Sequence, residues 1–71
     1  MMAFRVIFQY QEQGGGSFAM KFEARDADDA MRLANVYADR QRRRQQGDFF
    51  PAFVESAFSM NGRDYDLLDK A

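Results

Sequence analysis

The sequence predicts an α+β fold: a two-layer sandwich in which a four-stranded antiparallel sheet, in the order ββαββ, carries one helix on one face. Three observations predict it. Apolar and polar residues alternate over residues 3–10, 17–24 and again from Val54 onward, the period of half-buried strands. Between the second and third of these runs the apolar spacing lengthens to that of a helix. Turn-forming sequences, QEQGGG and Asn61-Gly62, separate the strands within each pair.

In the first run Phe4, Val6, Phe8 and Tyr10 share one face, and Arg5, Ile7 and Gln9 the other. The second sets Phe18, Met20, Phe22 and Ala24 against Ala19, Lys21 and Glu23. Gly14-Gly15-Gly16 can adopt positive φ and close these two runs into a hairpin. Asp26 is a good N-cap, and Asp28 and Asp29 place negative charge where the first helical turn leaves free amides. A stripe of Ala27, Ala30, Met31, Ala34, Tyr37 and Ala38 follows, with Leu33 on its flank. The helix should run to about Gln45, with Arg42, Arg43 and Arg44 at the negative end of its dipole and Gly47 as the stop. Strict alternation then puts Val54, Ser56, Phe58 and Met60 on the core face and Glu55, Ala57 and Ser59 outside. A type I′ turn at Asn61-Gly62 would set Met60 opposite Arg63 and Phe58 opposite Tyr65. Leu67 would continue that face. Strand order 2-1-3-4 lets a right-handed crossover carry the chain from the second strand to the third.

At 71 residues the chain reads as one domain, residues 1–71. Its expected stability is only ~4–11 kcal/mol. There is no Cys, His or Trp, and ten basic side chains face eleven acidic ones. The near-neutral proton shuttle, the thiol nucleophile and the structural zinc ligands are therefore missing, so the expectation is a non-enzymatic protein with no cofactor and no metal. Hydrophobic residues make up 46% of the chain, which sets it among folded proteins. Eight Phe and three Tyr against three Leu, one Ile and three Val point to a small aromatic core. MMAFRVIFQYQ has neither the apolar length nor the cleavage site of a signal peptide, and no run approaches the ~20 apolar residues of a membrane span. The expected location is cytoplasmic.

Among the charged groups, the run RQRRRQQ places Arg40, Arg42, Arg43 and Arg44 together, a candidate nucleic-acid contact. Against that, Asp28–Arg32 and Asp39–Arg43 have the acid-before-base spacing of helical ion pairs, and residues 26–46 hold five Arg against four Asp. Nearly all strand aromatics fall on the helix-covered face, where no base could stack on them. Nucleic-acid binding is expected to be weak or none. Asp26, Asp28 and Asp29 serve capping better than metal ligation. Asp64, Asp66 and Asp69, with Glu55, read as a solvated acidic edge. Gly14-Gly15-Gly16 lacks the Lys-Ser/Thr of a phosphate loop. Phe49, Phe50 and Phe53 cannot all enter so small a core. One or two should cap the open end of the sandwich, while alternation turns Phe53 outward.

The stretch KFEARDADDAMRLANVYADR, a strand running through an Asp N-cap into an Ala-rich helix, resembles a pattern in small phage-encoded accessory proteins, some anti-CRISPR proteins among them, that look like compact ββαββ domains. The resemblance covers about a quarter of the chain and no catalytic motif. It implies a protein of the bacterial host cell that occupies a surface on a larger nucleic-acid-processing or defence complex. The expected partner is a protein, contacted through Arg40, Arg44, Phe49, Phe50 and Phe53; an edge strand and an exposed Phe could equally build a homodimer. The alternative is a small nucleic-acid-binding or regulatory protein using Arg40, Arg42, Arg43 and Arg44.

Overall fold

A computed structural model describes residues 2–12, 14–58 and 64–66, with Phe58 and Asp64–Asp66 given by backbone alone. The elements are β1 (Met2–Tyr10), β2 (Ser17–Ala24), α1 (Ala27–Arg43), β3 (Phe49–Phe58) and β4 (Asp64–Asp66). This is an α+β fold with one helix and an antiparallel sheet in the order β2-β1-β3-β4. Three strands are long. The expected fourth comprises only Asp64–Asp66 among the described residues. The Asn61-Gly62 turn, the Met60–Arg63 pairing and the facing of Ser59, Leu67 and Asp69 lie outside the described residues.

β1 and β2 pair without interruption from Met2↔Ala24 to Gln9↔Ser17. Gly14 and Gly16 take φ of 79° and 81° in the connecting turn, a backbone region that disfavours a Cβ. Phe4, Val6 and Phe8 are buried against Ala30, Ala34 and Ala38 of α1. Small helix residues thus meet large sheet residues, and the helix lies close.

At the start of α1 the Asp26 carboxylate accepts from the Asp29 amide at 2.8 Å. The Asp29 carboxylate reaches back to the Arg25 amide at 3.3 Å, so two otherwise orphaned donors are satisfied. The helix ends on Arg44 as C-cap. Gln45 then adopts φ 57°, while the Gln46 amide donates to the Gln41 carbonyl at 2.8 Å and the Gln45 amide to the Arg42 carbonyl at 3.1 Å. That is the double closure in which glycine is usual at the left-handed position. Gly47 is therefore not the stop. A Cβ at Gly47 would lie 2.7 Å from the Phe49 ring, so glycine there admits that ring.

Strict alternation fails in β3. Its pairing with β1 runs Tyr10↔Phe49, Gln9↔Phe50 and Phe8↔Pro51, then skips Ala52 to reach Ile7↔Phe53 and Val6↔Val54, and skips Glu55 to reach Arg5↔Ser56 and Phe4↔Ala57. Two bulges thus shift the strand. Ala57, expected outside, pairs with Phe4 and is fully buried; Ser56 pairs with Arg5 and is buried as well. The pairing with β4 moves as well: Phe58 lies opposite Asp64, and Tyr65 opposite Ala57. The expected Phe58–Tyr65 pair does not form.

Candidate interaction surface

α1 covers one side of the sheet and leaves the other open. Alternation along β1 sends Ala3, Arg5, Ile7 and Gln9 to the open side, because Phe4, Val6 and Phe8 are buried beneath the helix. Pairing carries the same side across the sheet. Ile7 lies between Ala19 of β2 and Phe53 of β3, and Arg5 between Lys21 and Ser56. Gln9 lies between Ser17 and Phe50. An apolar row, Ala19–Ile7–Phe53, therefore crosses three strands. Phe53 is its prominent member, with half of its surface exposed. Phe50 is half-buried.

Charged groups border this row. Arg5 approaches Glu55, the residue pushed out by the second bulge, with 3.9 Å between Nη1 and Oε2. Lys21 and Glu23 are exposed on the adjoining strand. Arg5, Ala19, Met20 and Lys21 also line a shallow depression of about 260 Å³.

Phe49 is not part of this surface. Only 6% of it is exposed, and its ring centre lies 4.9 Å from that of Phe18, 5.4 Å from Phe8, 5.8 Å from Tyr10 and 5.9 Å from Tyr37. Phe8 and Phe18 stack at 5.1 Å with their planes 6° apart. This cluster closes the end of the sandwich, the capping role expected for one or two of the three phenylalanines. Pairing at Tyr10, a core-side residue of β1, points Phe49 inward.

The arginines of the helix belong to the other side of the molecule. Arg43 Nε lies 3.2 Å from Asp39 Oδ2, the expected pair, and Arg42 Nη2 lies 3.7 Å from Asp39 Oδ1. Arg42 also donates from Nη1 to the Phe49 carbonyl at 2.8 Å, which ties the helix end to the start of β3. Near the N-terminus, Arg32 pairs with Asp29 and not with the expected Asp28; its Nε and Nη2 both donate to Oδ1, at 3.1 and 2.9 Å. These bonds, and then the Arg25 amide, hold the Asp29 carboxyl below its ordinary value. Arg40 and Arg44 are exposed, with no ion pair among the described residues. They sit on and beside the helix, across the sheet from Phe53, so the five residues expected to form one partner surface do not come together.

A depression of about 410 Å³ is lined by Arg42, Gln45, Gly47 and Asp48, and Asp48 is the single carboxylate among these described residues. Among the described residues no three carboxylates cluster as metal ligands, and no helix is long and apolar enough to cross a membrane. Strict alternation turns Phe53 outward but misses the bulges at Ala52 and Glu55, although Pro51 signals an irregular strand. No protein-family model matches the chain, and neither curated proteins nor solved structures include one similar to it.

Proposed function

We propose that this chain is a non-enzymatic protein-binding module that docks through the open face of its sheet. The observation that carries the reading is Phe53, an aromatic side chain half in water at the middle of a strand, continuous with Ile7 and Ala19. Interfaces concentrate their energy in such aromatic centres, rimmed by polar groups. Arg5, Lys21 and Glu55 supply a rim of mixed charge. In the form implied by the resemblance to phage-encoded accessory proteins, the module works in the bacterial cytoplasm and inhibits a larger nucleic-acid-processing or defence complex by covering part of it. The nucleic-acid alternative has less support, because Asp39 engages both Arg42 and Arg43.

Affinity capture from bacterial lysate, read by mass spectrometry, tests this reading with two variants whose folding is first checked by circular dichroism. Phe53→Ser should lose the captured protein. Val36→Ser, which alters an exposed apolar residue of α1, should keep it. Equal capture by the Phe53→Ser protein, or no protein retained above control resin, overturns the proposal.

A further inference from the structure

We infer that two copies of this chain pair through β2, forming a continuous antiparallel sheet across a two-fold axis at Phe22. The inference uses the free edge of β2, which adjoins the Phe53 face and shares Ala19 and Lys21 with it, but it does not depend on Phe53. β2 is an outer strand of the sheet, eight residues long, with no proline and no bulge. The far side of β3 differs: it carries β4 along Ser56–Phe58, and Pro51 interrupts the rest of the strand.

The phase of the hydrogen bonds fixes which groups the β2 edge offers. The Tyr10 amide donates to the Gly16 carbonyl at 3.2 Å. In an antiparallel pair such bonding recurs at every second residue. Phe18, Met20, Phe22 and Ala24 therefore direct their amides and carbonyls to β1, while Ser17, Ala19, Lys21 and Glu23 direct theirs outward. A second β2 must bond through the same outward set, which limits the registers it can take.

Charge selects among these registers. With the axis at Phe22, Lys21 faces the second copy's Glu23 and Glu23 faces its Lys21, both as hydrogen-bonded pairs. With the axis at Lys21, two ammonium groups meet directly. With the axis at Met20, Lys21 faces alanine and Glu23 faces serine. Only the first is self-complementary. On the helix side it also brings Phe22 against Phe22 in the closer, non-hydrogen-bonded type of pair. Phe18, Met20 and Phe22 are only half-buried within one copy, whereas Phe4, Val6 and Phe8 of β1 are fully covered. A second copy completes that burial.

Light scattering across a concentration series is the test, with native mass spectrometry of mixtures in which one component is isotopically labelled. The wild-type protein should approach twice the 8.3 kDa chain mass. Ala19→Pro removes one outward amide without touching a bond to β1 and should be a folded monomer. Lys21→Glu and Glu23→Lys should each be monomeric, since each sets like charges opposite one another. Mixed, these two variants should form a heterodimer, because every charged pair is again complementary. The charge variants decide the matter if Ala19→Pro does not fold. Phe53→Ser should keep the wild-type mass. A wild-type monomer at the highest soluble concentration overturns the inference. So do single charge variants that remain dimeric, a mixture that stays monomeric, or a dimer lost with Phe53→Ser.

Discussion

Replacing Phe49 and Phe53 one at a time asks whether two phenylalanines four positions apart have the opposite roles described above. Phe49 has 94% of its surface covered, 6% being exposed, and its ring meets four other aromatic rings. Truncating a buried phenylalanine to alanine costs about 3–5 kcal/mol. The whole chain has only about 4–11 kcal/mol of stability to lose. Since each 1 kcal/mol moves the midpoint of so small a domain by about 4–8 °C, Phe49→Ala should lower melting by at least about 12 °C. Phe53 already has half its surface in water, so at most about 1–1.5 kcal/mol of transfer energy is at stake. Threonine keeps the preference for a strand, and Phe53→Thr should cost about 1 kcal/mol or less. Urea unfolding followed by circular dichroism, compared at equal slope, gives both values. Equal losses, or the larger loss at Phe53, would refute the assignment of Phe49 to the core. Should Phe49→Ala not fold, Phe49→Leu at about 1.5 kcal/mol against a nearly neutral Phe53→Leu poses the same question.

Two further outcomes follow from the helix ends. Gln45→Gly should stabilise the protein by about 0.5–1 kcal/mol, because relief of the left-handed strain exceeds the added freedom of the unfolded chain; an unchanged or lower urea midpoint contradicts the strain. The Asp29 carboxyl is held below its ordinary value of 3.8, so its contribution is fully present above the ordinary carboxylate range and is lost as pH falls through the lowered value. Asp29→Asn should therefore lower the melting temperature at neutral pH, and the gap from wild type should close in acid; a gap independent of pH removes the ion pair from the explanation.

What the sequence made legible was the part governed by local rules. The β1–β2 hairpin, the Asp26 cap and the alanine stripe each follow from period and turn chemistry, and β1 and β2 keep the predicted faces where Phe4–Gln9 pair with Ser17–Phe22. β3 was less legible because its bulges answer to its fit against β1. Nothing in the Val54–Ser56 spacing announces that Glu55 is passed over. The candidate surface suffered from the same cause. Alternation gives Phe53 its outward side, but the bulge at Ala52 turns Phe49 into the core; Arg40 and Arg44 stand apart for a different reason, since they belong to the helix on the other face of the sheet. Gln45 is not legible as the stop because Gly47, two residues later, offers the more familiar one.

The alanine face of α1 bears on how this protein can change over generations. Ala30, Ala34 and Ala38 have no exposed surface and share one buried cluster with Phe4, Val6 and Phe8, so any larger side chain there would push the two layers apart. The opposite side of the sheet is free of that restriction. Residues such as Ala19, Ile7 and Phe53 carry none of that constraint, and substitutions among them leave the contact between helix and sheet untouched. Inheritance of the fold and revision of its outer surface are thus separable: a lineage could rewrite the open face many times over while the packing beneath it stays the same.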